Sequence, residues 1–137
     1  MERYKHTVQY YETDKMGITH HSNYIRWMEE ARVSFLSRNG WPYSRLEEMG
    51  IASPVIGVDC RYRLPTVFEQ DVFITVFVEE FSGVRLIFRY EMTDAEGKLV
   101  CEGHSQHCFL GADGRPMKLS RKFPELSELF SSLSEKK

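Results

Sequence analysis

Residues 8–32 read VQYYETDKMGITHHSNYIRWMEEAR, and within this stretch the chain changes from a strand-like to a helical pattern. Residues 4–11 alternate loosely and predict a first β-strand, and residues 12–17 have the composition of a turn. From residue 22 to residue 39, apolar side chains recur at helical spacing, which predicts a long helix with one buried face. That face consists of Tyr24, Trp27, Met28, Ala31 and Phe35, and Gly40 follows as a left-handed cap residue.

Beyond the helix, the sequence predicts strands joined by tight turns. The predicted strands are residues 55–63, 72–80, 84–92 and 98–110, and short helices are predicted from Pro42 to Gly50 and over residues 124–133. One strand, one long helix and an antiparallel meander favour an α+β fold in which the sheet curls around the helix. No linker or repeat interrupts the chain, so residues 1–137 are predicted to form one domain, with a flexible polar tail at 131–137.

The apolar strand at residues 72–78 predicts an oligomer. A single helix covers only one face of a sheet, so the other face or the edge of this nearly continuous apolar run needs a partner. We therefore expect at least a homodimer.

Composition and charge exclude several classes of protein. A net charge of −2 gives no basic field that would attract nucleic acid. No run of 18 apolar residues occurs, so no membrane insertion is expected, and the residues behind Met1 do not resemble a signal peptide. A reduced, cytoplasmic location is predicted. Three scattered thiols predict neither a disulfide framework nor a zinc site; they are Cys60, Cys101 and Cys108.

A spaced pattern of polar residues around the helix start resembles a known family. A Tyr is followed by an Asp four residues on, a Gly three later, and then His-x-Asn-Tyr opening a helix with Glu-x-x-Arg. This pattern resembles the 4-hydroxybenzoyl-CoA thioesterase-like branch of the hotdog superfamily, and within it the small acyl-CoA thioesterases often associated with the Tol-Pal system. The residues that carry the resemblance are Tyr10, Asp14, Gly17, His21, Asn23, Tyr24, Glu29 and Arg32.

The resemblance implies a fold, an assembly and an activity. The implied fold is the hotdog fold, an antiparallel sheet wrapped around one long helix. Dimers would form by joining sheets edge to edge, often paired into homotetramers, with the active site between subunits. The implied substrate is an acyl-CoA, and no cofactor is expected beyond the coenzyme A that the substrate carries.

Thioester hydrolysis needs a water or a carboxylate near the carbonyl carbon and donors for the developing oxyanion. Asp14 is the candidate carboxylate, acting as general base or as nucleophile. A helix that begins at His21 or Ser22 offers backbone N–H groups to the oxyanion. The resemblance assigns that donor to the His21 N–H and suggests that Tyr10 and the His21 ring orient Asp14 or the water. Gly17 would let the loop turn beneath the thioester without a Cβ in the way.

Substrate contacts are predicted at the helix start and at basic residues. Asn23 and Tyr24 open the helix and are candidates for the acyl pocket. Coenzyme A carries phosphates, so cations at strand ends and in the basic cluster 115–122 are candidates for binding them. The candidate phosphate-binding residues are Arg61, Arg63, Arg85 and Lys118.

The sequence also allows other functions. Hotdog dehydratases or hydratases pair a His with an acidic residue on or before the central helix, and a non-catalytic thioester-binding protein would keep the same fold. The acyl group, and the choice between coenzyme A and a carrier protein, are not specified. No metal is predicted, because His20, His21, His104 and His107 lack the spacing of a zinc site.

Overall fold

The long central helix agrees with the sequence prediction. In the computed structural model, which describes residues 2–136, helix α1 spans Asn23–Arg38 with Ser22 as its N-cap. The predicted apolar face lies in the core, with Phe35 partly buried and the other members buried. Gly40 follows with a φ of +86°, the left-handed conformation predicted for the residue that ends the helix.

Five antiparallel strands form a single sheet. They are β1 Tyr4–Thr7, β2 Val55–Tyr62, β3 Asp71–Phe81, β4 Arg85–Thr93 and β5 Leu99–Cys108. Their order across the sheet is β1-β3-β4-β5-β2, so β1 and β2 are the two outer strands. The sheet wraps around α1, which confirms the predicted α+β hotdog fold.

Three shorter helices complete the chain. They are α2 Tyr43–Glu48, α3 Leu119–Lys122 and α4 Pro124–Leu133. Helices α2 and α4 were predicted, and α3 was not. Pro42 is the N-cap of α2 and is extended, with ψ at 156°, because the residue before the helix keeps non-helical angles.

The core lies between the inner face of the sheet and the helices α1 and α4. Alternate residues of β3 and β4 point inward and are buried. Trp27 and Met28 of α1 are fully buried against them, as are Leu126 and Phe130 of α4. Complete burial of one such side chain typically contributes about 1.5–3 kcal/mol. The inner face is therefore covered by two helices and not by one.

Close contact between α1 and the sheet depends on Gly103 in β5. A Cβ at this position would overlap the Asp59 carbonyl oxygen and would lie 2.5 Å from Cε of Met28. Glycine therefore allows Met28 of α1 to pack this near to the sheet.

The first strand is shorter than the prediction of residues 4–11. It ends at Thr7, and a 3₁₀ turn at Tyr10–Glu12 follows. The chain turns because Glu12 N–H donates to the Gln9 carbonyl at 3.0 Å and the Glu12 carboxylate accepts Gln9 N–H at 2.8 Å. Tyr10 therefore lies on a turn and not on a strand, which corrects the prediction.

Two residues of the predicted polar tail, Glu135 and Lys136, form hydrogen bonds to the sheet. Residues 131–133 complete α4, and residue 137 lies outside the described range. Beyond α4, Glu135 N–H donates to the Val78 carbonyl at 2.9 Å and Lys136 N–H to the Glu79 carbonyl at 3.2 Å. The Glu135 carboxylate also pairs with Arg89 at 3.0 Å. This segment lies along the part of β3 that β1 leaves unpaired.

The outer face of β3 is partly covered by cationic side chains of the same chain. The Arg3 and Arg89 guanidinium groups lie 4.6 Å and 3.9 Å from the ring centres of Phe73 and Phe77. Exposed apolar surface is also found on the outer strand β2, where Val55, Ile56 and Val58 are 49%, 57% and 43% exposed. The homodimer stays a prediction.

None of the helices within residues 2–136 is long and apolar enough to cross a membrane.

Candidate active site

Asp14 lies in a tight hairpin loop that follows the 3₁₀ turn. Thr13 and Thr19 form a β-bridge, and Asp14 N–H donates to the Ile18 carbonyl at 2.9 Å. The Asp14 Oδ1 atom accepts the Met16 N–H at 2.8 Å, which fixes the carboxylate in an Asx turn. Its Oδ2 atom has no partner within residues 2–136, so one carboxylate oxygen is available to a water or a substrate.

Gly17 closes this loop in a left-handed conformation, and its predicted approach to a thioester stays a prediction. Its N–H donates to the Asp14 carbonyl at 2.9 Å, and its φ is +81°. A Cβ placed there would meet nothing within 4 Å. The positive φ, and not a lack of space in this chain, is what favours glycine.

A cavity of about 430 Å³ opens beside the Asp14 loop. Its walls come from the loop, the start of α1 and the end of β2. The lining residues are Asp14, Met16, Ile18, Thr19, His21, Tyr24, Tyr62, Arg63, Leu64 and Pro65. The predicted candidates Asp14, His21, Tyr24 and Arg63 thus meet at one cavity. A wider groove of about 800 Å³ along the exposed side of α1 is lined by other residues.

The helix start lies slightly later than predicted. The first residue of α1 is Asn23, and His21 precedes the N-cap. Asn23 N–H donates to the His20 carbonyl at 3.0 Å, so a single turn leads into the helix. The backbone N–H of His21 has no acceptor within residues 2–136. A donor without an internal partner, next to a helix N-terminus, is suited to developing negative charge.

Asn23 has a different environment from the one predicted for a substrate contact. It is 7% exposed, and its side-chain amide donates to the Glu12 carbonyl at 2.9 Å and the His20 carbonyl at 3.2 Å. Both amide hydrogens are therefore used within the chain. Asn23 belongs to the framework of the site and does not line the cavity.

Tyr24 lines the cavity from α1 with its hydroxyl group already bonded. That hydroxyl lies 2.9 Å from Thr66 Oγ1, which in turn lies 2.6 Å from Thr19 Oγ1. Burial raises the pKa of Tyr24. These buried hydroxyl groups fasten the Asp14 loop to the segment that follows β2, since Thr19 N–H also donates to the Thr66 carbonyl at 2.8 Å.

Tyr62 is a residue of the site that sequence reasoning did not select. Its hydroxyl donates to the His21 carbonyl at 3.1 Å, and its ring lies 5.2 Å from that of Tyr24. Burial, followed by the neighbouring Cys60 thiol, raises the pKa of Tyr62 to about 12, so the hydroxyl remains a donor. The sequence feature that could have indicated Tyr62 as a site residue is its position between Arg61 and Arg63 at the end of a predicted strand.

Tyr10 lies outside the cavity lining within this chain. Its side chain is 76% exposed and packs edge-on against Phe68 at 5.7 Å. Its carbonyl accepts the Thr13 N–H and hydroxyl at 3.2 Å and 2.8 Å. The backbone of Tyr10 therefore supports the turn before Asp14, and a catalytic role for its ring stays a prediction.

The predicted basic residues are divided between two ends and two faces of the sheet. Arg63 is at the cavity, 2.8 Å from Glu102, whereas Arg61 contributes to a pocket on the outer face. Arg85 lies opposite Cys108 at the other end of the sheet, the end at which β2 begins with Val55, and its guanidinium lies 3.8 Å from the Glu80 carboxylate. The Lys118 side chain packs over Gly83 in the same region. Arg85 and Lys118 are thus remote from Asp14 of their own chain.

A buried network beneath the site was not predicted. Glu12 is 4% exposed, and its carboxylate accepts Trp27 Nε1 at 2.7 Å and contacts His6 Nε2 at 2.8 Å. The other His6 nitrogen lies 3.1 Å from Glu30. Burial alone would raise the pKa of Glu12, but the hydrogen bonds from Gln9, Trp27 and His6 outweigh it and hold this pKa below its usual value.

The buried network contains residue types that the alternative function, a hotdog dehydratase, would require. His6 with Glu30 of the central helix is a His–carboxylate pair of the kind such enzymes use. The His6 ring, however, is 9% exposed and packs against Trp27 at 4.5 Å, and neither member of the pair lines the cavity. The arrangement supports a structural role for the pair.

The other histidines are dispersed. His104 and His107 lie on opposite faces of β5: His104 lies 3.0 Å from Asp59, and His107 lies in the core 3.0 Å from the Ser53 carbonyl. Burial lowers the pKa of His107 to about 4. Within residues 2–136, no three His, Cys, Asp or Glu side chains are grouped as ligands for a metal ion.

The chain belongs to the thioesterase-like superfamily, whose sequence profile matches residues 8–132.

Relatives with solved structures agree in fold over nearly the whole chain. A DHNA-CoA thioesterase from Staphylococcus aureus is 32% identical with a TM-score of 0.91, covering 96% of this chain and 89% of that one. The Thermus thermophilus protein TT1821 is 35% identical with a TM-score of 0.88, covering 97% and 99%. The acyl-CoA thioester hydrolase YbgC of Escherichia coli O6:H1 is 25% identical over 95 residues, 69% of this chain and 71% of YbgC.

Proposed function

We propose that this protein is an acyl-CoA thioesterase in which Asp14 and the His21 N–H act on one thioester carbonyl. The observation that carries the proposal is that the Asp14 loop and His21 line the same cavity. Membership of the thioesterase-like superfamily supports the reaction class, and the named S. aureus and E. coli relatives act on coenzyme A thioesters.

The proposed chemistry uses the carboxylate and the backbone donor together. Asp14 removes a proton from a water molecule as the water oxygen adds to the thioester carbon. The carbonyl oxygen becomes negative and accepts the His21 N–H, a contact typically worth about 3 kcal/mol in the transition state. The C–S bond then breaks, the free acid is released, and the proton held by Asp14 passes to the coenzyme A thiolate. Direct attack by Asp14, giving an anhydride that water opens, is the alternative course.

The activity is tested by thiol release from a panel of aliphatic and aromatic acyl-CoA esters. We expect free coenzyme A to appear in proportion to added protein, without added metal. Absence of release from the whole panel, by a folded protein, would remove the proposed function. A single turnover in ¹⁸O-labelled water, with mass spectrometry of Asp14 and of the product acid, tests the two courses: direct attack by water labels only the acid, whereas water that opens the anhydride at the Asp14 carbon labels the carboxylate.

We propose further that two chains pair through their β2 strands. This edge is eight residues long, runs from Val55 to Tyr62 and exposes apolar side chains. A two-fold axis pairs identical strands antiparallel, so the Tyr62 end of one chain meets the Val55 end of the other. The strand spans roughly 23 Å between those ends at about 3.3 Å per residue.

This pairing would complete the site. The Val55 end carries Arg85 and Lys118, which are remote from Asp14 within one chain. Across the two-fold axis, they would approach the cavity of the partner, where the phosphates of coenzyme A extend from the thioester. We therefore propose that Arg85 and Lys118 bind the phosphates of coenzyme A at the active site of the partner chain.

Val58→Lys should weaken the dimer at least tenfold and lower kcat/KM with it. A lysine on the central part of β2 places a charge in the apolar edge, which opposes edge-to-edge pairing. Sedimentation velocity and thiol release measure both effects. Val33→Lys on α1 is the matched control, because Val33 and Val58 are each 43% exposed. A Val58→Lys protein that remains a fully active dimer would place the interface elsewhere.

Mixing an Asp14 variant with a variant that lacks the two cations should restore activity at low substrate concentration. In a mixed dimer of Asp14→Asn with the double variant Arg85→Ala/Lys118→Ala, one site keeps Asp14 from one chain and both cations from the other. Random exchange should recover roughly a quarter of the wild-type rate at low substrate concentration, because about half of the dimers are mixed and each has one intact site. No recovery, after exchange verified by native mass spectrometry, would show that the cations act within their own chain.

A further inference from the structure

The two peptide units that flank His21 are each held by a side chain from a different element. Asn23 of α1 holds the unit before His21, and Tyr62 of β2 holds the unit after it. Neither side chain is itself the proposed oxyanion donor. Their hydrogen bonds instead orient the His21 N–H.

The unit before His21 is held through its carbonyl group. The His20 carbonyl accepts the Asn23 N–H at 3.0 Å and the Asn23 side-chain amide at 3.2 Å. Because a trans peptide is planar, the His20 C=O and the His21 N–H point in opposite directions. Fixing the carbonyl toward Asn23 therefore aims the N–H away from the helix.

The unit after His21 is held from the sheet. The Tyr62 hydroxyl donates to the His21 carbonyl at 3.1 Å, and the Tyr62 ring packs edge-on against His21 at 6.3 Å. The Tyr62 ring also packs edge-on against Tyr24 at 5.2 Å. Both peptide units that flank His21 are therefore hydrogen-bonded to side chains of other residues.

The same amide also ties His21 to the Asp14 loop. The second Asn23 amide hydrogen bonds the Glu12 carbonyl at 2.9 Å, and the His20 N–H bonds that same carbonyl at 2.8 Å. Glu12 lies two residues before Asp14. Asn23 thus links the loop that carries the Asp14 carboxylate to the backbone segment that carries the His21 N–H.

We infer that Asn23 and Tyr62 are positioning residues for the oxyanion donor, an inference that rests on the proposed thioesterase function. An N–H that binds an oxygen only when it becomes negative contributes to the transition state and not to substrate binding. A change in the direction of the His21 N–H should therefore lower kcat and leave KM nearly unchanged.

Tyr62→Phe is the first test, because it removes one hydroxyl group and keeps the ring. We expect kcat to fall roughly five- to tenfold, as for the loss of one hydrogen bond of about 1 kcal/mol. KM, the Kd of a thioether analogue that lacks the carbonyl, and the pH profile of kcat/KM should not change. Tyr43→Phe, which alters an exposed tyrosine on α2, is the matched control and should retain wild-type kcat.

Asn23→Ala is the second test, with circular dichroism and sedimentation confirming fold and assembly. We expect a larger fall in kcat, on the order of 10²-fold, the range for the loss of an oxyanion donor. In the double variant with Tyr62→Phe, the losses should combine to less than their product, because both side chains serve one N–H. If Asn23→Ala does not fold, the Tyr62→Phe result decides alone.

The outcomes separate the inference from the function. If Tyr62→Phe keeps wild-type kcat, or changes only KM, while Asp14→Asn is inactive, the positioning role is wrong and the thioesterase proposal stands. If the wild-type protein hydrolyses no thioester in the panel, both proposals are overturned. A selective loss of kcat in Tyr62→Phe supports the inference.

Discussion

Asp14→Asn should lower kcat by roughly 10²–10⁴, the range for loss of a positioned acid–base group, with fold and assembly unchanged. An amide neither takes a proton from water nor attacks the carbonyl carbon. Its Oδ1 atom still accepts the Met16 N–H, so the Asx turn that shapes the loop is retained. Initial rates of thiol release across the acyl-CoA panel measure the effect.

The matched control is Asp94→Asn, because its loop repeats the three hydrogen bonds of the Asp14 loop and adds one from Lys98 N–H to Asp94 Oδ1 at 2.9 Å. Asp94 Oδ1 accepts the Glu96 N–H at 2.9 Å, Gly97 N–H donates to the Asp94 carbonyl, and Asp94 N–H donates to the Lys98 carbonyl. Any cost of placing an asparagine in such a turn is therefore common to both variants. Turnover near the wild-type level in folded Asp14→Asn protein would contradict the proposed mechanism.

Glu12→Ala should reduce the free energy of unfolding by about 3–5 kcal/mol, as expected when one partner of a buried charged network is removed. The substitution leaves the Trp27 indole N–H, the Gln9 N–H and His6 without their acceptor. Urea denaturation measures the change in midpoint. Glu48→Ala on α2 serves as the control, because that carboxylate is exposed.

The stabilisation from Glu12 should also depend on pH in a defined direction. Its pKa in the folded protein lies below the ordinary value of 4.5, so the ionised carboxylate favours the folded state above that pH. As the pH falls through the lowered pKa, both states become protonated and this stabilisation is lost. Denaturation of Glu12→Gln protein should lack that part of the acid dependence, and an unchanged acid dependence would assign it to other carboxylates.

The helix and the meander were predictable because their signals are local. Apolar side chains at helical spacing predicted α1 within one residue at each end, since burial of that face determines where the helix lies. The first strand was predicted too long because Tyr10 fits a strand by composition. What ends it is a hydrogen bond from Gln9 to a carboxylate three residues later, which competes with the strand pattern.

The site was only partly predictable, because its parts come from distant segments. The Asp14 loop and the helix start are adjacent in sequence, and their meeting at one cavity followed from the motif. Tyr62 reaches His21 across 41 positions of sequence, and no local spacing encodes that contact. Asn23 was expected at the substrate because polar residues at a motif often are, whereas its burial directs both amide hydrogens to backbone carbonyls.

The unequal edges of the sheet limit how far the protein can assemble through its strands. On one side, β1 contributes a strand of only four residues, and Glu135 and Lys136 bond to Val78 and Glu79 of β3. On the other side, β2 offers eight residues. Short edges resist pairing with further chains. With the β2 pairing proposed above, each sheet would join a single copy of itself, so growth by this route would stop at two chains, and the pairing that would complete the site would also oppose open-ended fibres.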